Sequence, residues 1–219
     1  MKYYPVYLDV RERPCMIVGG GQIAERKAIA LFDAGADLTI VSPSLTPALV
    51  ELAGKGKITH HPKTFAEQDI TGVYLVIAAT NDAAVNEAVA RACRKHGILV
   101  NAATSPDEGT FVVPSVVERG DLLIAISTCG DSPALARKVR EDLERTYGPE
   151  YAVFLDKMAN LRRRIVHDVA DENVRRNVYQ AVVDSDVLYL LKAGQMHEAD
   201  LRIAEIVKTV AGGAATSPS

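Results

Sequence analysis

A chain of 219 residues, 48% hydrophobic and 24% charged, is long enough for one large or two small globular domains. Its formal net charge of −3 excludes binding to nucleic acid or a membrane surface by bulk attraction. No charged leader precedes an apolar stretch and no apolar run approaches the roughly 20 residues of a membrane span, which points to a cytoplasmic protein.

Residues 1–9 hold Tyr3, Tyr4, Val6, Tyr7 and Leu8 and read as an extended segment lying along the domain. A polar turn then leads into the apolar run 15–18, a buried strand. Gly19, Gly20 and Gly21 break it. From Gln22 onward Ile23, Lys27, Ala30, Leu31 and Ala34 fall at helical spacing until Gly35. Strand, glycine turn and helix make the first half of a βαβ unit, with Gly19, Gly21 and Ala24 in the G-x-G-x-x-A places. The first glycine permits the tight turn, and the second lets backbone approach a pyrophosphate. The small third residue lets helix pack on strand. The helix N-terminus presents free N–H groups and a partial positive charge to the phosphates.

The run 37–42 reads as a second strand ended by Pro43, followed by a short helix at 46–53 and a third strand at 58–61. Residues 73–79 are continuously apolar, as in parallel strands buried on both faces, and end in Thr80-Asn81-Asp82. Asp82 is an N-cap for a helix to about residue 96, and 98–102 is the next strand. This alternation predicts a parallel, doubly wound α/β sheet. The pattern then changes. Runs 111–117 and 122–127 meet at Arg119-Gly120-Asp121, a hairpin signal, with Pro114 restricting its strand to an edge or an end. The pair stands outside the βαβ repeat, and a second copy of the chain is the economical cover for its apolar face. Ser132-Pro133 opens a helix with the stripe Leu135, Val139 and Leu143, closed by Gly148-Pro149. Three further helices centre on residues 154–165, 174–182 and 203–210, and the basic run Arg162-Arg163-Arg164 reads as a solvated face. The expected domains are a Rossmann-like one at 1–110, a dimerisation region at 111–148, a helical domain at 149–211 and a disordered tail at 212–219. The cysteines Cys15, Cys93 and Cys129 fit no zinc spacing and read as reduced structural side chains.

Ligands of doubly wound sheets sit outside the carboxyl ends of the strands. That gathers Gly19, Gly21, Gln22 and Ile23 with Pro43 and Ser44, Thr80 and Asn81, and Asn101 as candidate dinucleotide-binding residues. Where an acidic residue would read the ribose 2′-hydroxyl the chain has Ser42-Pro43-Ser44, so NAD and NADP are not distinguished. Asn81 and Asn101 have two roles open to them: bonding the nicotinamide ribose or substrate, or holding turns. Acid–base groups are scarce. No histidine falls at these strand ends, Asp107 and Glu108 sit in a Pro-Asp-Glu-Gly turn, and Thr104, Ser105, Ser127 and Thr128 offer only hydroxyls. Such a site suits hydride transfer, in which the cofactor carries the hard chemistry.

The stretches 19–28, 78–82, Val100-Asn101, 111–115 (Phe-Val-Val-Pro-Ser) and 132–137 (Ser-Pro-Ala-Leu-Ala-Arg) resemble, in order and spacing, the precorrin-2 dehydrogenase family, the N-terminal module of siroheme synthase. The resemblance covers residues 1 to about 145; the helical remainder matches in length and character. It implies an NAD-dependent oxidation of precorrin-2 to sirohydrochlorin by a homodimer, in siroheme or another modified tetrapyrrole route. Some members also insert ferrous iron, and some carry a methyltransferase domain for which this chain leaves no room. The substrate carries eight carboxylates, so its expected contacts are the N-terminus of the Ser132 helix, Arg137, Lys138, Arg119 and Thr128. The family's candidate acid–base Asp is Thr104 here, with Asp107 as the nearest replacement. A threonine hydroxyl is a poor base, so the expectation is dehydrogenation with weak or no iron insertion. Two other readings stay open: a bifunctional dehydrogenase and ferrochelatase, and a non-enzymatic NAD-sensing dimer.

Overall fold

Apolar runs of three to five residues form the spine of the first half of the chain. The computed structural model describes residues 2–103 and 106–214 and divides into two units, residues 1–113 and 114–219. In the first, β1 (Pro14–Val18) leads to α1 (Gln22–Asp33), β2 (Asp37–Val41), α2 (Pro47–Gly54), β3 (Thr59–His61), β4 (Leu75–Ala78), α3 (Ala83–Lys95) and β5 (Leu99–Ala102). All five strands are parallel, in the order β3-β2-β1-β4-β5. The Rossmann-like sheet expected from the β-α alternation is therefore present.

Alternation of side chains along each strand divides the apolar residues between two layers. Cys15, Ile17, Leu38, Ile40, Leu75 and Ile77 pack beneath α1 and α2 with Ala24, Ala28 and Leu49. Met16, Val18, Val41, Val76, Ala78 and Val100 pack beneath α3 with Val89, Ala90 and Cys93. Burial, then the nearby Asp37 carboxylate, pushes the Cys15 thiol up to about 11, and burial alone does the same for Cys93. Both are unreactive packing groups.

In the second unit β6 (Ser115–Arg119) and β7 (Leu122–Ile126) form an antiparallel hairpin with Arg119 opposite Leu122. The two-residue turn Gly120-Asp121 is admitted by the positive φ of Gly120, +59°. Then come α4 (Pro133–Thr146), α5 (Glu150–Asp168), α6 (Glu172–Val183), α7 (Val187–Lys192) and α8 (Met196–Ala214). Phe154, Leu161, Ile165, Val178, Val182, Val187, Leu191, Ala199 and Ile206 form the core of this bundle. Two expectations change. The short α7 lies between the expected second and third C-terminal helices; its six residues are too few to display a helical period. The last helix also runs past residue 211, where the tail was placed, because Gly212 and its small neighbours continue it to Ala214. The rest of that tail lies outside the described residues. Among the described residues, no helix is long and apolar enough to cross a membrane.

Candidate functional site

The sheet order reverses between β1 and β4, which opens a crevice at their carboxyl ends. Gly19 to Gly21 turn the chain there. Gly19 has φ +122°, and a Cβ on it would lie 2.4 Å from the Ala79 carbonyl oxygen beyond β4. Its N–H donates to Val41 O at 3.0 Å, which ties the turn to β2. Gly20 packs still more closely: a Cβ would lie 1.9 Å from Ser44 O and 2.8 Å from Ser42 Oγ, while Gly20 O accepts from Thr46 N–H at 3.0 Å. Gly21 differs from both. Its φ is an ordinary −85°, and among the described residues a Cβ there would meet nothing within 4 Å beyond its chain neighbours. It is the N-cap of α1 and brings no side chain to the orphan N–H groups of the first turn. Exposed Gln22 and Ile23 flank the opening. Lys27, about one turn further along, is half-buried; burial, and then its neighbour Arg26, hold its ammonium below the usual lysine range.

The end of β2 supplies the second wall. Ser42 is buried, and its hydroxyl donates to Ser44 O at 2.7 Å. His60 Nε2 donates to Ser42 O at 2.9 Å, which fixes the proton on that nitrogen. The loop is thus closed on itself, and Pro43 and Ser44 are exposed at its tip.

The third wall follows β4. Asn86 on α3 is fully buried; its Oδ1 accepts from Thr80 N–H at 3.0 Å, its Nδ2 donates to Thr80 O at 3.0 Å, and Thr80 Oγ1 lies 2.8 Å from Oδ1. Asp82 Oδ1 caps α3 through Ala84 N–H at 2.9 Å, and Asn81 is exposed between them. No motif in the sequence singles out Asn86. Its signal was there: a polar residue on the stripe Asp82, Asn86, Val89, Cys93, whose other helical members are buried. Replacing Asn86 with Ala strips both backbone groups of Thr80 of their partner. It is expected to cost the first unit about 1–3 kcal/mol in urea denaturation, and a loss below half of that range would mean that water replaces the amide readily.

Behind β5, the buried Asn101 donates from Nδ2 to Phe111 O at 3.1 Å, and Thr110 N–H donates to Val100 O at 2.7 Å. That bond holds the turn after β5 through the Asn101 amide nitrogen. Thr104 lies outside the described residues. Asp107 sits on a turn at Pro106–Glu108 with its side chain 92% exposed, 3.5 Å from Lys2 Nζ. Glu108 belongs to the same turn, yet its Oε2 is buried with no hydrogen-bond partner among the described residues.

The remaining candidates lie in the second unit. Ser132 Oγ caps α4 by accepting from Leu135 N–H at 3.3 Å, and Thr128 Oγ1 accepts from Ser132 N–H at 3.2 Å. Arg137 and Lys138 pair with Glu141 and Asp142 one turn on, at 2.9 and 2.8 Å. The bonds from these bases hold both carboxyls below the usual range, against an opposing effect of burial. Arg119 is placed otherwise than expected. Its guanidinium donates to the carbonyls of Tyr147, Glu118 and Glu144 at 2.9, 2.7 and 3.3 Å, so it closes the C-terminal end of α4 rather than facing a substrate.

A family profile described as "Putative NAD(P)-binding" matches residues 6–115, and one described as "Sirohaem biosynthesis protein central" matches residues 119–146. The chain is 37% identical over 211 residues to a siroheme synthase of Methylococcus capsulatus, covering 96% of this chain and 44% of that protein. It is 38% identical over 200 residues to one of Nitrosococcus oceani, covering 91% and 43%. It therefore spans less than half the length of these relatives. A solved structure titled "SirC, precorrin-2 dehydrogenase" superposes with a TM-score of 0.78 at 30% identity, over 93% of this chain and 100% of that one.

Proposed function

We infer the activity from one premise: the chain belongs to the precorrin-2 dehydrogenase family and matches part of siroheme synthases. We propose that it oxidises precorrin-2 to sirohydrochlorin with NAD⁺. The observation that carries the reading is the end-to-end likeness to a precorrin-2 dehydrogenase. The geometry of the turn fits the cofactor: Gly21 leaves open space at an uncapped helix N-terminus, which suits a pyrophosphate. When bound, the nicotinamide accepts the hydride. Gln22 and Ile23 flank the phosphates, and Pro43 and Ser44 take the adenosine ribose. Thr80 and Asn81 lie at the β4 end toward the nicotinamide. Their own rigidity comes from Asn86 and from the Ser42–Ser44 bond. Ser132, Arg137 and Lys138 offer the substrate's carboxylates a helix N-terminus and two cations. Exposed intrahelical pairs such as Arg137–Glu141 contribute little and exchange readily, so both bases are open to a better partner.

The test is anaerobic incubation with precorrin-2 and NAD⁺, followed by the absorbance of sirohydrochlorin. Turnover that requires both substrates is expected. NAD⁺ binding without turnover would instead make the chain a sensor. Continuing the assay with Fe²⁺ is expected to give insertion no faster than without protein, because residue 104 carries a hydroxyl where a base is needed. Insertion faster than the protein-free rate would make the chain bifunctional.

We propose, too, that the hairpin and α4 form a two-fold interface. Val116 pairs with Ala125, and Glu118 with Leu123, on the outer face; Val116 and Leu123 are 40% and 43% exposed. The stripe of α4 leaves Leu135 54% exposed, and no residue of α4 is buried. Val116→Asp and Leu123→Asp are expected to give folded monomers at micromolar concentration in sedimentation runs where the wild type is a dimer. Ile124 pairs with buried Val117 on the inner face, so Ile124→Asp is expected to unfold the second unit instead. A monomeric wild type would overturn the interface.

A further inference from the structure

Arg162 on α5 and Arg175 and Arg176 on α6 line a groove of about 320 Å³ with Val166, Glu172 and Tyr179. Three arginines against one glutamate leave this wall with a net charge of +2 on a chain whose formal net charge is −3. Elsewhere in the second unit Arg137, Arg140, Arg145 and Arg202 are all paired with carboxylates. None of the three groove arginines makes an ion pair among the described residues, Glu172 included. Three guanidinium groups gathered against one unpaired carboxylate repel one another, and an anionic ligand removes that repulsion.

They are also held in place. Arg175 donates from one terminal nitrogen to Val169 O and Ala170 O, both at 2.7 Å, which fixes its plane and leaves other N–H groups unused. Arg176 is steadied by Asn173 Oδ1 at 3.2 Å, and the Arg162 guanidinium lies 5.8 Å from the centre of the Tyr179 ring. Forked donors fixed in advance bind planar or tetrahedral oxyanions at less entropic cost than flexible lysines do. The volume lies at the lower end of small-molecule sites, far short of a tetrapyrrole.

We propose that this groove binds a small multivalent oxyanion, bearing phosphate or carboxylate groups, through Arg162, Arg175 and Arg176. It gives a function to Arg162, the first residue of a basic run that reads from sequence alone as a solvated face, and it stands apart from the dehydrogenase reading.

Calorimetric titration of the full chain tests it, with pyrophosphate in one arm and citrate in the other. Ionic strength is matched with sodium chloride, and any pyrophosphate bound at the glycine turn is told apart because it is unaffected by the arginine variant below. Saturable binding of at least one probe is expected; the tighter of the two identifies phosphate or carboxylate as the ligand chemistry. The double variant Arg162→Gln/Arg176→Gln is expected to lose affinity about tenfold or more. Arg175 is left intact because it also closes two carbonyls. Arg164→Gln, which is off the lining, is expected to change nothing, and unaltered urea denaturation of all variants confirms that they fold. Absence of saturable binding by either probe, or binding undiminished in the double variant, would overturn the site.

Discussion

Gly20→Ala is expected to unfold the first unit at markedly lower urea than the wild type, a loss of about 2–4 kcal/mol, and to lose cofactor binding with it. The added Cβ would stand 1.9 Å from the carbonyl oxygen of Ser44 and 2.8 Å from Ser42 Oγ. The first of these is backbone, with no rotamer to turn aside. The loop that carries it is bound from several sides: Ser42 donates to Ser44 O, His60 donates to Ser42 O, and Thr46 N–H donates to Gly20 O. Relief of the clash must therefore pull the β1–α1 turn away from the β2–α2 loop, breaking bonds on both sides. Gly19→Ala is expected to fall in the same range for two reasons: its Cβ would stand 2.4 Å from the Ala79 carbonyl oxygen, again backbone, and φ +122° is a region that residues with a Cβ rarely adopt. A Gly20→Ala protein within 1 kcal/mol of wild type would show the loop to be pliable.

The contrast among three adjacent glycines marks the limit of what the sequence disclosed. A G-x-G-x-x-A pattern names Gly19 and Gly21 and treats Gly20 as filler, because the pattern is local and Gly20 answers to Ser44, which lies 24 residues later in the chain. The parallel sheet was legible since four of its strands, β1, β2, β4 and β5, place apolar residues on both faces; β3, Thr-His-His, does not. The α4 N-cap was legible for a similar reason: Ser132 and its acceptor role toward Leu135 lie within one turn. Asn86, Asn101 and Arg119 were not, or were only half so. Each is polar, and what it does depends on a backbone group brought near by the fold: Thr80, Phe111, and the carbonyls at the end of α4. A lone Arg in a hairpin turn reads as free for an anion; only the packing of α4 beside β6 shows its guanidinium already engaged.

Gly21→Val is expected to leave stability within about 1 kcal/mol of wild type and to weaken NAD⁺ binding by about a hundredfold or more. Among the described residues, and apart from Gly21 and its chain neighbours, no atom lies within 4 Å of the position a Cβ would take, and φ −85° with ψ −173° is backbone that valine adopts freely. The small cost that remains is the loss of a favourable N-cap residue, since glycine is better there than a β-branched side chain. The space into which the valine projects lies at the start of α1, where the first-turn N–H groups have no side-chain partner. A pyrophosphate reaching those groups would have to share it with two methyl groups. The loss of affinity would then be steric exclusion at an intact fold, separable from the Gly20 effect because only one of the two moves the denaturation midpoint. Titration with NADH, followed by its fluorescence, measures it; Gly21→Ala is expected to fall between the two. Undiminished NADH affinity in a folded Gly21→Val protein would place the phosphates elsewhere and remove the glycine turn from the cofactor site.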